Sequence, residues 1–156
     1  MADPLADQSA HRGPDARKVP LKSIEAIPAM HPGLIAHLST EVFIPLKSEP
    51  GTLAEALGVI SEAGYNIEGY AETAGTLHVL TDDSRGARAA LEAAGFAPSE
   101  AAVVVLPVVD RQGIAPEVFR RIAGAEIKVL FSYLATDNRL VIGASDSVRA
   151  ADELNK

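Results

Sequence analysis

An internal match is the feature of this sequence that most constrains its fold. When the chain is shifted by 62 residues against itself, Pro45 lies over Pro107 and Gly51 over Gly113. Apolar positions also coincide, but apolar residues often do so by chance. A proline in a strand and a glycine at a helix start rarely recur together. The match therefore predicts a duplicated structural unit.

Both copies of this unit show the same order of predicted elements. In the first copy, residues 41–46 form a bounded apolar run that predicts a strand. Leu53, Leu57 and Ile60 recur at helical spacing and predict an amphipathic helix. Two strands joined by an Ala-Gly hairpin and a second helix follow. The order is thus strand, helix, strand, strand, helix.

This order predicts three parts of the chain: a flexible N-terminal arm at residues 1–38, a first domain at residues 39–102 and a second domain at residues 103–156. Each copy has about 45 to 60 residues, a size at which an isolated core is only marginally stable. We therefore expect the copies to bury surface against each other or against a second chain. The second copy lacks a predicted closing strand, which we expect the segment from Leu21 to Leu38 or another subunit to supply.

Charge and composition exclude several classes of function. With 14 basic and 21 acidic residues the net charge is −7, which disfavours nucleic acid and membrane surfaces as partners. The sequence has no cysteine, no predicted signal peptide and no apolar run near the roughly 18 residues of a membrane span, which favours a cytoplasmic protein. The histidines show no metal-ligand spacing, and His78 is expected on a partly exposed strand face. No catalytic residue, metal or cofactor is predicted.

The corner between the first strand and the first helix begins the strongest functional pattern. The corner Ser-Glu-Pro-Gly (residues 48–51) precedes a helix with Leu-x-x-x-Leu, and Ala-Gly-Tyr-Asn-Ile (residues 63–67) leads into the second strand. This pattern resembles the ACT-domain family, and more narrowly the small stand-alone proteins with two ACT domains in tandem. The resemblance covers about residues 40–154. It implies an α+β fold of two ferredoxin-like βαββαβ repeats, whose antiparallel sheets carry helices on one face.

The same resemblance implies a function. Family members pair side by side through their sheets and commonly bind amino acids or other small metabolites as regulatory ligands. Their ligands sit where the first loop of one domain faces strand two of its neighbour. Carried onto this chain, the pattern implies ligand-binding residues in both corners and at the start of strand two: Ser48, Glu49, Gly51, Thr52, Leu53, Asn66, Ile67, Asp110, Gln112, Gly113 and Ile114.

The two corners depart from the family's usual Asp-x-Pro-Gly in different ways. The first corner reads Ser-Glu-Pro-Gly and the second, at residues 110–113, reads Asp-Arg-Gln-Gly. Lys128 also stands in the second copy where Asn66 stands in the first. We therefore expect the two potential sites to be chemically different.

Local chemistry leaves two interpretations of the first corner. Backbone amides at the start of a helix are unpaired donors that attract a carboxylate, and Glu49 could accept a hydrogen bond from the ammonium group of an amino acid. Alternatively, Thr52-x-x-Glu55 is a capping box that would satisfy the same amides internally.

The expected function is regulatory binding of an amino acid or a similar small carboxylate, coupled to domain pairing or oligomerisation. A homodimer or another homo-oligomer is the expected assembly. The alternative is a constitutive interaction module that pairs or docks without any ligand. In neither case is enzymatic activity expected.

Overall fold

A computed structural model describes residues 35–156, so the expectations for residues 1–34 lie outside the described part of the chain. Within the described range the chain forms six strands and four helices in the order β1 (His37–Pro45), α1 (Thr52–Glu62), β2 (Ile67–Thr73), β3 (Thr76–Thr81), α2 (Ser84–Ala93), β4 (Ser99–Pro107), α3 (Ile114–Gly124), β5 (Val129–Ala135), β6 (Arg139–Ala144) and α4 (Ser147–Leu154). We call the elements from β1 to α2 the first half and those from β4 to α4 the second half. The predicted α+β class is confirmed.

The helices begin at residues that favour a helix start. The backbone of Gly51 precedes α1 with a φ of 90°, and Gly113 precedes α3 with a φ of 89°. This conformation is accessible to glycine at little cost. The side chain of Asp83 accepts a hydrogen bond from the Gly86 amide at 2.9 Å and caps α2. Asp146 caps α4 in the same way. The two halves therefore share their helix-starting devices.

The strands of residues 35–156 form one closed antiparallel sheet in the order β1-β3-β2-β5-β6-β4. The prediction of two separate sheets, each with helices on one face, is wrong in this respect. Two long strands serve both halves: β1 pairs with β3 through Val42–Pro45 and with β4 through His37–Phe43. β4 in turn pairs with β6 through Val104–Pro107. These two strands join the halves, and the pairing of β2 with β5 at Gly69 and Ala135 closes the sheet into a barrel, so that no open edge is left.

The predicted boundary between residues 102 and 103 falls inside β4, and it stays a prediction. Residues 99–105 of this strand lie beside residues 43–37 of β1. The start of β1, which the sequence assigns to the N-terminal arm, thus lies next to the strand that opens the second half. A hydrogen bond from the Ala36 amide to the Asn155 side chain, at 2.8 Å, joins the residue before β1 to the end of α4.

Successive side chains of each strand point to opposite faces of the sheet, and this alternation creates three apolar cores. Val42 and Ile44 face α1 and α2, while Val104 and Leu106 face α3 and α4. The residues between them point to the other face of the sheet. Their apolar cluster contains only strand residues and fills the interior of the barrel: Leu80, Val103, Val105, Tyr133 and Val141, with Ala71, Phe131 and Ala135 packed against them. The helices therefore cover the outer face of the barrel, and side chains fill its interior.

Candidate functional site

The first corner is an uncapped helix start. Among the described residues, no side chain caps α1, and the Glu55 amide makes the first helical bond, to the Gly51 carbonyl at 2.9 Å. The Thr52 hydroxyl donates to the Glu49 carbonyl at 3.0 Å instead of capping the helix. The predicted capping box therefore does not form. In residues 35–156, neither the Leu53 nor the Ala54 amide has a hydrogen-bond acceptor.

An open cleft of about 490 Å³ lies at this corner. Its walls come from the corner and from the hairpin that joins β2 to β3. Four of the predicted ligand-binding residues line it, Ser48, Glu49, Thr52 and Leu53, together with five others, Leu46, Lys47, Pro50, Glu72 and Gly75. The cleft thus offers carboxylates, an ammonium group and apolar surface within one small volume.

The hairpin reaches the cleft because of strand register. Pro45, the last residue of β1, lies opposite Thr76, the first residue of β3. The Leu46 amide continues this contact by donating to the Gly75 carbonyl at 2.7 Å. Glu72 accepts a hydrogen bond from the Gly75 amide at 3.1 Å, which holds its carboxylate at the edge of the cleft. Sequence reasoning missed Glu72, although the predicted hairpin and first strand together would have placed it near the corner.

The second corner has the same backbone and fewer free donors. Gly113 precedes α3 without a side-chain cap, and the Glu117 amide bonds to the Gly113 carbonyl at 3.2 Å. The third residue of this helix is Pro116, which has no N–H group, whereas the matching position in α1 is Ala54. The Arg111 guanidinium forms an ion pair with the Glu117 carboxylate. This helix start therefore has one free N–H donor fewer than the first. The predicted ligand-binding residues around it are Asp110, Gln112, Gly113 and Ile114.

Asn66 and Ile67 lie at the other end of the sheet from the first corner. β1 and β2 are both antiparallel to β3, so they run in the same direction. Ile67 lies opposite Thr81, five residues along β3 from the Thr76 end, which corresponds to about 17 Å. The structure therefore does not bring Asn66 to the cleft of its own half. The Asn66 amide instead donates to the Asp82 carboxylate at 2.9 Å.

Pairing between the halves places Asn66 at the end of the barrel that holds the second corner. β2 and β5 are antiparallel, with Gly69 opposite Ala135. Arg139, opposite the last residue of β4, forms an ion pair with Glu68 at 3.0 Å. By the same antiparallel arrangement, the start of β5 at Val129 lies toward the first corner. Each corner thus shares an end of the barrel with the second strand of the other half.

The described residues contain neither a group of side chains placed to hold a metal ion nor a membrane-spanning helix. Within residues 35–156, no group of three or more His, Cys, Asp or Glu side chains is placed to hold a metal ion. No helix in this range is long and apolar enough to cross a membrane.

No protein-family model and no curated protein matches the sequence. Solved structures do match. Protein BT0572 from Bacteroides thetaiotaomicron superposes with a TM-score of 0.61 at 23% identity, over 78% of this chain and 88% of that one. The regulatory subunit of aspartate kinase from Thermus flavus gives 0.55 at 14% identity, over 76% and 94%. Aspartokinase III of E. coli in complex with lysine and aspartate gives 0.50 at 15% identity, over 81% of this chain and 33% of that one.

The protein has an ACT-domain fold. The predicted resemblance is confirmed at the level of fold, because the aspartate kinase neighbours are regulatory, ACT-containing structures. For this ACT-type chain, the assignment of individual ligand-binding residues stays a prediction. So do the tandem duplication and the oligomeric state.

Proposed function

We propose that this protein is a regulatory module that binds an amino acid or a similar small carboxylate at the first corner. One observation carries the proposal: the amides of Leu53 and Ala54, two exposed residues, have no acceptor in the described structure, and Leu53 lines a cleft that also holds carboxylates. A helix N-terminus with free N–H groups favours an anion. The complex of E. coli aspartokinase III with lysine and aspartate supports an amino acid as the ligand class.

The cleft offers partners for both ends of an amino acid. The α-carboxylate would accept hydrogen bonds from the Leu53 and Ala54 amides. The α-ammonium group would donate to Glu49 or Glu72, both of which line the cleft. Leu46 and Leu53 supply apolar surface for a side chain. Backbone amides recognise the group common to all amino acids, so the identity of the ligand is determined by these walls.

The proposal predicts one ligand per chain. The first corner has two free amides in the first turn of its helix, and the second has Pro116 at one of the two matching positions. The Arg111–Glu117 ion pair also occupies charged groups at the second corner. We therefore assign ligand binding to the first corner alone.

Isothermal titration with the twenty amino acids, following a thermal-shift screen, tests this function. A ligand present at 100 times its Kd adds about 2.7 kcal/mol of stability, which raises Tm by several degrees. The variant Ala54→Pro removes one of the proposed donors, and we expect binding to weaken at least about tenfold, the cost of one hydrogen bond to a charged group. Pro116 shows that the same helix start accepts proline at this position.

The matched control is Ala115→Gly, which changes the second corner and should leave affinity unchanged. An Ala54→Pro protein that folds and binds as tightly as wild type would contradict the proposed site. Gly51→Val is a poorer test, since the positive φ at this position would strain a valine whether or not a ligand binds.

A flat response to all twenty amino acids would favour the constitutive interaction module. One observation supports that alternative: Tyr70, Leu130 and Leu134, on the adjoining strands β2 and β5, are 50%, 58% and 69% exposed. Exposed apolar side chains grouped in this way are typical of contact surfaces. Light scattering on Leu134→Lys would then show whether these side chains hold an assembly together.

A further inference from the structure

A group of three polar side chains lies inside the barrel, and we call it the interior cluster: Glu41, His78 and Tyr133. The Glu41 side chain is fully buried. One of its carboxyl oxygens is hydrogen-bonded to His78 Nδ1 at 2.8 Å, and the other accepts a hydrogen bond from the Tyr133 hydroxyl at 3.0 Å. The expectation that His78 lies on a partly exposed face is wrong, since it is 9% exposed.

The interior cluster joins the two halves of the barrel. Glu41 belongs to β1 and His78 to β3 in the first half, whereas Tyr133 belongs to β5 in the second. The His78 ring also lies against the Phe131 ring, with centroids 4.0 Å apart. By contrast, the direct strand pairing between β2 and β5 is limited, in the described residues, to the Gly69–Ala135 position. The interior cluster therefore links β5 to the first half where the adjacent β2–β5 seam is weakly paired.

Glu41 has no other ionisable neighbour on the described elements around it. His78 faces it from β3 and Tyr133 from β5. The strands β2, β4 and β6 present Ala71, Val103 and Val141 to the interior. His37, on the same face of β1, lies at the exposed start of that strand. Among the described residues, only His78 and Tyr133 can therefore offset a negative charge on Glu41.

Other ion pairs in the described residues are weaker candidates for a pH-dependent contact between the halves. The ion pairs of Arg88, Arg139 and Lys156 lie wholly or partly in solvent, where such pairs contribute little. The interior cluster is different because a carboxylate inside an apolar core is costly, and its cost depends on its protonation.

We propose that the interior cluster is a proton-controlled link between the two halves: protonated Glu41 holds β5 against β1 and β3, and loss of the Glu41 proton to solvent loosens the β2–β5 seam. The carboxylic acid can hydrogen-bond to His78 and accept from Tyr133 while leaving no net charge in the interior. The carboxylate keeps the same partners but brings a negative charge into an apolar environment.

The direction of the pH dependence follows from the environment of Glu41. Burial raises the pKa of this carboxyl above its ordinary value of 4.5, and the hydrogen bond to His78, the electrostatic interaction with His78 and the hydrogen bond from Tyr133 only partly oppose the rise. Between 4.5 and the raised pKa, the folded protein therefore binds more protons than the unfolded one. Stability from this group is complete below 4.5 and is lost as the pH rises through the raised pKa.

Thermal unfolding of the full chain and of Glu41→Gln between pH 5 and pH 8 tests the proposal. Glutamine keeps both hydrogen bonds and cannot ionise. We expect the Tm of wild type, relative to the variant, to fall as the pH rises across this range, because the folded wild type loses the Glu41 proton and the variant has none to lose. A difference that stays constant with pH would overturn the proposal.

Hydrogen exchange locates the effect. The ratio of wild-type to Glu41→Gln exchange rates should rise with pH at the amides of β5, including Tyr133, and stay level at Ala150 in α4. An equal rise in this ratio at β5 and at Ala150 would contradict the proposal that Glu41 acts on the β2–β5 seam. If Glu41→Gln does not fold, Tyr133→Phe takes its place: with one donor fewer for the carboxylate, the Tm of this variant should fall more steeply with pH than that of wild type, and an equal slope would overturn the proposal.

Discussion

The two halves of the barrel have matching backbones and different chemistry. Gly51 and Gly113 start their helices at the same φ, and β2 and β5 both shift register two residues after their starts. The functional groups on this shared frame differ. The first corner has Glu49 where the second has Arg111, and Ala54 where the second has Pro116. Backbone geometry is therefore shared by the halves, while ligand chemistry is particular to each.

The interior shows the same contrast in its packing. In the first half Gly69 lies opposite Leu80, and in the second half Phe131 lies opposite Gly143, so the large and small residues exchange strands. A Cβ atom at Gly143 would approach the Phe131 ring to 2.2 Å. Gly143 thus leaves space for Phe131 of its own half, whereas a Cβ atom at Gly69 would meet Ala135 and Tyr133 of the other half.

The largest loss of stability is expected when the small residue on β6 is replaced by the large residue found at the matching position of β3. Gly143→Leu places the first half's large residue on β6, where it meets the Phe131 ring, and we expect a loss of about 3 kcal/mol or more in the free energy of unfolding. Urea unfolding of the variant measures the loss.

A second substitution separates steric conflict from other effects. In Gly143→Leu/Phe131→Gly the second half carries the large and small residues on the same strands as the first. We expect the double variant to be more stable than Gly143→Leu alone. Additive losses would show that the exchange of large and small residues does not explain the packing.

The helix caps provide a smaller and symmetrical test. Asp83 and Asp146 have the same conformation and accept from the amide three residues on, at 2.9 and 3.0 Å. Asp83→Ala and Asp146→Ala should each cost about 1 kcal/mol, the usual value for loss of a helix cap. Unequal costs, measured by chemical denaturation, would show that the halves differ in stability as well as in chemistry.

Local sequence signals predicted the elements of this comparison well. Glycines, hairpin residues and apolar spacing lie within short segments, and they predicted the presence and the order of α1, the β2–β3 hairpin and α2. The ACT-type fold could be predicted because its corner and strand-two pattern also lie within one copy.

Features that depend on contacts between distant segments could not be predicted. The single sheet arises because β1 pairs with β4, and it closes because β2 pairs with β5. No local pattern shows either pairing between the halves. Glu41 and Tyr133 are 92 positions apart and meet only through closure. The same reason explains why the sequence alone does not assign Asn66 to either corner, since the direction of β2 relative to β1 decides which end of the sheet it occupies.

The smallest effect on stability, and the most direct test of the contrast between the corners, comes from converting the second corner into the first. Pro116→Ala restores the missing N–H group, and Arg111→Glu supplies the charge found at Glu49. Replacing proline should lower the free energy of unfolding by about 0.5 kcal/mol, because the unfolded chain gains conformational freedom.

If free amides and an acidic residue are what the first corner contributes, calorimetry should show the stoichiometry rise from one ligand per chain toward two. Adding Ala54→Pro should weaken the first corner at least about tenfold, so that the converted corner becomes the tighter of the two sites. A stoichiometry of one in the double variant would mean that the Glu72 side of the first cleft, which the two substitutions do not recreate, is also required for binding.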